Sequence, residues 1–144
     1  MSPALSNHFT DYAAFHGTPG NRACHYIGIP LIVFSICALL GTIHVATVGG
    51  FTVTAAEVAL VGVTLYYLSL EATLAALMLA TFVVLDVVAR QLPLGVAVVL
   101  FVVGWILQFV GHYAYEKRSP AFYRNLAHLL VGPLWIVAKV TGRA

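Results

Sequence analysis

The chain has 144 residues, enough for one domain, and 61% of them are hydrophobic whereas only 8% are charged. This composition lies outside the range of soluble globular proteins and predicts an integral membrane protein, a single domain over residues 1–144. The formal net charge of +2 is too small to indicate a nucleic-acid partner, because nucleic-acid-binding proteins carry extended basic surfaces.

The N-terminal residues are polar to mixed and precede the first long apolar run. They predict a short amphipathic helix over 6–15 and a proline–glycine turn over 18–21. The apolar run 26–48 predicts the first membrane-spanning helix, because about 20 helical residues cross a hydrocarbon core of roughly 30 Å. Pro30 would then lie in the first turns of this helix, where a missing N–H is best tolerated.

Four more apolar runs follow. Residues 54–70 and 72–89 predict a tight helical hairpin with Glu71 near water, and residues 94–110 predict a fourth spanning helix. The last run, 127–140, is short and favours a re-entrant or interfacial helix over a full crossing. The predicted fold is therefore an all-α polytopic membrane helix bundle with four transmembrane helices and a fifth, short or re-entrant helix.

One acidic residue, Asp86, lies inside the third predicted span. Acidic residues within a membrane are candidate functional groups. Arg90 follows four residues later, however, and residues at this spacing lie on one helix face. A structural ion pair is therefore the simpler interpretation.

Polar residues concentrate in an N-terminal polar interval (16–25) and a C-terminal polar interval (108–135). Four predicted spans separate them, an even number, so both intervals are expected on one membrane face. The cationic residues expected on that face are Arg22, Lys117, Arg118 and Arg124. The positive-inside tendency assigns that face to the cytoplasm, and Arg90 is the one exception.

His112 and Glu116 lie four residues apart in the C-terminal polar interval. On a continuing α-helix their side chains would share one face. Imidazole and carboxylate together can bind a divalent metal such as iron, with open positions for dioxygen and substrate. The alternative is that His112 ends the helix and Glu116 pairs with Lys117 or Arg118, and the spacing alone does not decide between the two.

His16 and His25 lie nine residues apart in the N-terminal polar interval, with Asn21 between them. A turn would bring both imidazoles to one point, although an amphipathic anchor followed by an interfacial histidine explains the same pattern. The pairing of the two intervals on one membrane face favours the metal hypothesis. It places His16, His25, His112 and Glu116 in one layer.

Three further polar side chains lie close enough in sequence to take part in such a site. His128, on the last predicted helix, is better suited to a supporting hydrogen bond than to ligation. Arg118 and Arg124 can each bind a substrate carboxylate through two hydrogen bonds. Anchoring at the cytoplasmic membrane face explains either arginine alone.

The two polar intervals carry the motifs of a known family. The first interval contains H-x-x-P-x-N-x-x-x-H, formed by His16, Pro19, Asn21 and His25. The second contains Gln108-Phe109-x-Gly111-His112, Glu116-Lys117-Arg118-x-Pro120-Ala121 and Asn125-Leu126. With these motifs the chain resembles, over nearly its whole length, the family of the fungal endoplasmic-reticulum 2-hydroxy fatty acid dioxygenase, which has many bacterial members.

The resemblance implies an Fe(II)-dependent α-oxidation, in which a 2-hydroxy fatty acid and dioxygen give the fatty acid one carbon shorter. It implies that His16, His25 and His112 are the metal ligands. Glu116 would be a catalytic residue, as a further ligand or an orienting carboxylate. A glutamine is common in the family at the place of His128, which argues against an obligatory ligand role. The expected substrate-binding residues are Asn21, Arg118, Arg124 and Asn125.

The expected partners are the 2-hydroxy fatty acid, dioxygen and membrane lipids. The expected location is a bacterial inner membrane, with the site on the cytoplasmic side. Two other functions fit the residues without the resemblance: a haem-binding membrane electron carrier, in which two histidines ligate one haem, and a non-enzymatic lipid-binding membrane protein.

Overall fold

The computed structural model describes all 144 residues, most of which are helical. The elements in chain order are α1 (Pro3–Ala14), α2 (Pro19–Leu40), β1 (His44–Val48), β2 (Phe51–Thr54), α3 (Ala55–Leu70), α4 (Ala72–Ala89), α5 (Leu94–Val110), a π-helical segment (Gly111–Glu116), a 3-10 turn (Ala121–Tyr123) and α6 (Ala127–Val140). The chain divides into two units. The first comprises Met1–Leu31 and Val103–Ala144, and the second comprises Ile32–Val102.

The predicted N-terminal amphipathic helix is present as α1. It begins at Pro3, and the preceding Ser2 accepts a hydrogen bond from the Leu5 N–H at 3.2 Å. Such a side-chain cap satisfies one of the N–H groups that a helix start leaves without an intrahelical partner. Leu5, Phe9 and Tyr12 recur at helical spacing and are buried together. This apolar face holds α1 in the first unit.

The predicted turn at 18–21 and the predicted first span at 26–48 are both wrong in their bounds. Helix α2 begins at Pro19 and ends at Leu40. Proline fits the first position of a helix because its missing N–H would have no partner there, and its fixed φ suits the helix. Pro30 accordingly lies in the middle of α2 and not in its first turns.

The prediction of an all-helical chain missed a β-hairpin. Strands β1 and β2 pair antiparallel, joined by Gly49 and Gly50 with φ angles of 56° and 82°. A two-residue hairpin turn of this kind needs positive φ at both central positions, which glycine adopts without steric cost. The predicted first span ended at residue 48 and not at Leu40 because the apolar residues of the hairpin continue the apolar run of α2.

The predicted helical hairpin is confirmed as α3 and α4. Glu71 separates the two helices and caps α4, accepting hydrogen bonds from the Thr73 N–H at 3.1 Å and the Leu74 N–H at 2.6 Å. Thr54 and Glu57 form a capping box at the start of α3. Charged and hydroxyl side chains therefore define both helix starts in this otherwise apolar region.

Three helices are long and apolar enough to cross a membrane: α2 with 22 residues, α4 with 18, and the continuous helix Leu94–Glu116 with 23. Helices α3 and α6 are apolar but shorter, with 16 and 14 residues. At 1.5 Å per residue α6 extends about 21 Å, less than a hydrocarbon core of roughly 30 Å. A short apolar helix is thus present at the predicted place, whereas neither the four spans nor a fifth, re-entrant helix is confirmed.

In the second unit, one guanidinium joins the hairpin to two helices. The Arg90 Nε donates to Asp86 Oδ2 at 3.1 Å, which confirms the predicted ion pair. Its Nη2 donates to the Glu57 carboxylate and to the Thr52 carbonyl. The same group lies 4.9 Å from the Phe51 ring centroid. Arg90 therefore ties β2 and the start of α3 to the end of α4.

Replacing Arg90 by Met is expected to lower the free energy of unfolding by about 2 kcal/mol, below the roughly 3–5 kcal/mol for breaking a fully buried pair. The loss arises because the Asp86 and Glu57 carboxylates lose the guanidinium that pairs with both of them. Thermal unfolding in one detergent measures the effect, and Arg143→Met, which removes an exposed cation, is the matched control. Equal effects of the two substitutions would contradict a structural role for the Arg90 ion pairs.

Candidate metal centre

Three buried histidines from three different segments converge in the first unit. His16 lies between α1 and α2, His25 lies in the second turn of α2, and His112 lies in the π-helical segment. One ring nitrogen from each lies within 4.8 Å of the others. The ring centroids are 4.4, 5.0 and 4.9 Å apart, with interplanar angles of 77°, 68° and 88°. We call these residues the three-histidine cluster.

Backbone carbonyls orient two of the three rings. His16 Nδ1 lies 2.6 Å from the Tyr12 carbonyl oxygen, and His25 Nδ1 lies 2.9 Å from the Asn21 carbonyl oxygen. A carbonyl oxygen can only accept, so Nδ1 carries the proton in both rings and Nε2 keeps its lone pair. Histidine ligands in metalloproteins are commonly oriented by such a hydrogen bond on the other ring nitrogen.

The His16 imidazole is held in its neutral form. Burial, followed by the nearby imidazole of His25, lowers the pKa of His16 to about 3. Only the neutral ring offers a lone pair to a cation, so His16 needs no deprotonation at neutral pH before it can bind a metal.

The cluster fits a divalent transition metal. Three neutral imidazoles suit iron, copper, nickel or zinc, and three ligands leave further coordination positions open. His112 Nδ1 is buried and has no hydrogen-bond partner, the kind of unsatisfied polar atom that a bound ion can explain. No carboxylate belongs to the group.

Glu116 lies outside the three-histidine cluster and instead accepts hydrogen bonds from residues at the start of α2. Its Oε1 accepts from the Gly17 N–H at 2.9 Å. Its Oε2 accepts from the Thr18 N–H at 3.0 Å, the Thr18 hydroxyl at 2.9 Å and Asn21 Nδ2 at 3.1 Å. The predicted partners, Lys117 or Arg118, do not supply these hydrogen bonds. Glu116 thereby joins the C-terminal polar interval to the N-terminal one.

Asn21 is fully buried within this network. Its Nδ2 donates to the Phe15 carbonyl at 3.0 Å as well as to Glu116, and its backbone N–H donates to the Thr18 hydroxyl at 3.3 Å. Both amide hydrogens are therefore used inside the protein. The backbone carbonyl of Asn21 also accepts from the ring of His25, so Asn21 links the Glu116 contacts to a cluster histidine.

Gly111 allows the helix that carries His112 to pack closely against α2. A Cβ atom at Gly111 would lie 2.4 Å from Asn21 Oδ1, 3.1 Å from Cys24 Cβ and 3.3 Å from His25 Cε1. Any side chain here would push the two helices apart. The glycine next to His112 therefore sets the separation of the cluster histidines.

The helix continues past residue 110, as expected, but with π-helical hydrogen bonds. The His112 carbonyl accepts from the Lys117 N–H and, at 3.1 Å, from the Arg118 N–H, and Lys117 ends the segment with a φ of 56°. With this wider turn, His112 points into the cluster and Glu116 points to the start of α2. The two side chains thus have separate partners, and π-helical turns are frequent at functional sites.

The two predicted substrate-binding arginines are exposed. Arg118 donates through Nη1 to the Ala14 carbonyl at 3.0 Å, and its guanidinium lies 4.3 Å from the Phe15 ring centroid. Arg118 thus fastens the end of α1 to the C-terminal polar interval. Arg124 ends the 3-10 turn.

The two remaining predicted residues act at α6. Asn125 Oδ1 accepts from the N–H of Ala127, the first residue of this helix, at 3.1 Å. His128 lies outside the three-histidine cluster, and its Nε2 is 2.7 Å from Asp11 Oδ2. It packs on Tyr12, with ring centroids 5.7 Å apart.

Sequence reasoning missed Tyr12, whose ring stacks on His16 with centroids 3.9 Å apart and an interplanar angle of 11°. Its position four residues before His16 was the available signal, because this spacing brings a helical carbonyl within reach of a later side chain.

The fold and the site define a mostly helical protein with membrane-length apolar helices and a buried three-histidine cluster suited to a metal. The chain belongs to the family described as 2-hydroxy-palmitic acid dioxygenase Mpo1-like, which residues 3–144 match. It is similar to the 2-hydroxy-palmitic acid dioxygenase MPO1 of Saccharomyces cerevisiae, at 32% identity over 120 residues that cover 83% of this chain and 69% of the yeast protein. No solved structure was found to match the chain. The family resemblance predicted from the motifs is confirmed.

Replacing Gly111 by Ala is expected to lower the free energy of unfolding by about 1–3 kcal/mol, as overpacking does, and to weaken metal binding. Gly95→Ala is the matched control, because nothing lies within 4 Å of a Cβ at that helical position. It should be neutral or stabilising by up to about 1 kcal/mol. Thermal unfolding and metal content per chain measure both effects, and identical behaviour of the two variants would refute the close-approach argument.

Proposed function

We propose that this protein is an Fe(II)-dependent dioxygenase that shortens 2-hydroxy fatty acids by one carbon. The observation that carries the proposal is the buried three-histidine cluster, in a chain whose family and yeast relative are described as 2-hydroxy-palmitic acid dioxygenases. The reaction balances without a further reductant if the lost carbon leaves as carbon dioxide. One dioxygen then takes four electrons from the substrate, the C1–C2 bond breaks, and one water forms.

The proposed reaction favours a redox-active metal such as iron over zinc. Imidazole ligands alone suit zinc, copper, nickel and iron. Iron would supply the electron-transfer chemistry with dioxygen that amino-acid side chains lack and that zinc, without redox chemistry, cannot provide. The short separations of the ring centroids, 4.4–5.0 Å, favour a single ion over a haem, whose porphyrin would have to lie between two axial imidazoles.

The side chains around the cluster are proposed to position ligands and substrate. The carbonyl groups of Tyr12 and Asn21 fix the rings of His16 and His25, and burial of the cluster excludes bulk water. Glu116 is proposed to support the cluster through its hydrogen bonds to Gly17, Thr18 and Asn21, and not as a metal ligand.

For recognition of the substrate we retain the two predicted arginines. Arg124 is exposed, and Arg118 donates through one Nη to a backbone carbonyl, which leaves further N–H groups for a carboxylate. Asn21 Nδ2 and Asn125 Oδ1 form hydrogen bonds within the protein, so we propose structural roles for these two residues in place of the predicted contact with substrate.

We further propose that the protein lies in a bacterial inner membrane with the cluster on the cytoplasmic side. Exposed apolar side chains on the membrane-length helices would contact lipid and the acyl chain of the substrate. Examples are Val83, Val84, Val87, Val98, Val99 and Val102. The basic residues Lys117, Arg118 and Arg124 follow the last of these helices, which supports the cytoplasmic assignment.

The test uses protein purified without oxygen, loaded with Fe(II), and given 2-hydroxypalmitic acid and dioxygen. The acid one carbon shorter is expected, quantified by mass spectrometry. The His112→Gln variant should lose at least about 100-fold in rate, more than the 10–100-fold typical of residues that only support a ligand. His44→Gln is the matched control, because His44 is exposed and lies outside the cluster. Chain shortening that persists in His112→Gln, or its absence in the wild type, would contradict the proposal.

A further inference from the structure

One face of the short helix α6 packs against Tyr12. His128, Gly132 and Trp135 recur at the spacing of one helix face. The rings of His128 and Trp135 lie 5.7 and 5.3 Å from the Tyr12 ring, measured between centroids. A Cβ atom at Gly132 would lie 3.2 Å from the Tyr12 hydroxyl oxygen, so the glycine lets this ring approach the helix. We call these three residues the α6 face.

Tyr12 contacts His16 in two ways. The two rings are nearly parallel, with centroids 3.9 Å apart and an interplanar angle of 11°, and the Tyr12 carbonyl accepts from His16 Nδ1 at 2.6 Å. The stack restrains the tilt of the imidazole and the hydrogen bond restrains its rotation. Tyr12 is 2% exposed, so it has little freedom to move away from His16.

A polar contact links α6 to α1 next to this stack. His128 Nε2 lies 2.7 Å from Asp11 Oδ2, and the Asp11 side chain is 52% exposed. A carboxylate accepts hydrogen bonds, so Nε2 is the donor. Because Asp11 precedes Tyr12 in α1, this contact holds the helix turn that carries Tyr12 against α6.

We propose that Tyr12, Asp11 and His128 are positioning residues of the metal centre: the α6 face and the Asp11–His128 pair hold Tyr12, and Tyr12 holds the His16 ring in the orientation that binds the metal. The electron-rich face of Tyr12 also favours the positive charge that the imidazole gains when it binds a cation. The inference rests on the proposed function, because it concerns the same metal centre. It gives the short helix α6 a role in forming the site.

The first test titrates metal-free protein with Co(II) alone and follows the visible absorption bands of the bound ion. Tyr12→Leu removes the stacked ring and is expected to weaken Co(II) binding about tenfold, as loss of residues that support a ligand does. It should also shift the bands, because the His16 ring changes orientation. Tyr12→Phe should retain both affinity and bands, because the Tyr12 hydroxyl makes no hydrogen bond.

The second test changes Asp11, the exposed residue of the Asp11–His128 pair. Asp11→Asn keeps an oxygen that accepts from His128 and is expected to preserve the Co(II) bands. Asp11→Ala removes the acceptor and is expected to weaken binding and shift the bands in the same direction as Tyr12→Leu. Leu129→Ala, at an exposed position on α6 outside the α6 face, should bind as the wild type does.

Circular dichroism establishes whether each variant is folded. If Tyr12→Leu does not fold, the comparison of Asp11→Ala with Asp11→Asn decides. Folded Tyr12→Leu or Asp11→Ala protein with wild-type affinity and bands would overturn the inference alone. A wild type that binds no Co(II) would overturn the proposed function together with it.

Discussion

The contact on which the three-histidine cluster depends is the Glu116 carboxylate at the start of α2. It accepts four hydrogen bonds from Gly17, Thr18 and Asn21, across 95–99 residues of sequence. Closing a loop of this length costs about 4 kcal/mol of chain entropy. Hydrogen bonds to a charged group contribute roughly 1.5–3 kcal/mol each, so two or three of them offset that cost. Because His16 and His25 flank the three donor residues and His112 lies one turn before the acceptor, this one contact assembles the cluster.

The first unit also carries an uneven share of unsatisfied polar atoms. Five of the seven buried side-chain polar atoms without a hydrogen bond belong to it, on Tyr12, Asn21, Gln108, His112 and His128. Each such atom costs roughly 1–3 kcal/mol, so their concentration near one site calls for a functional explanation. A cation held by His112 Nδ1 would satisfy that atom, and the rings of Tyr12 and His128 pack on each other with centroids 5.7 Å apart. The unsatisfied polar atoms, which destabilise the fold, are thus concentrated where the metal chemistry is proposed.

The sequence predicted the helical hairpin and the end of α5, because apolar runs and charged caps report on local structure. It also predicted that His16, His25 and His112 lie close together, because the two polar intervals that carry them were expected on one membrane face. The β-hairpin was missed because its alternating valine and threonine residues are as apolar as the end of a span, and only the two glycines marked the turn. The π-helical segment and the partners of Glu116 were not predictable in the same way, since they depend on contacts nearly 100 residues distant. The packing of α6 on Tyr12 joins residues that are distant in the sequence, which no local pattern records.

The most direct test of this account is X-ray absorption at the iron edge of wild-type protein loaded with Fe(II) without oxygen. One iron per chain is expected, with scattering from three imidazole rings in the wild type and from one ring fewer in His25→Gln. Iron without imidazole scattering, or a spectrum unchanged by His25→Gln, would contradict the claim that His16, His25 and His112 together form the metal centre.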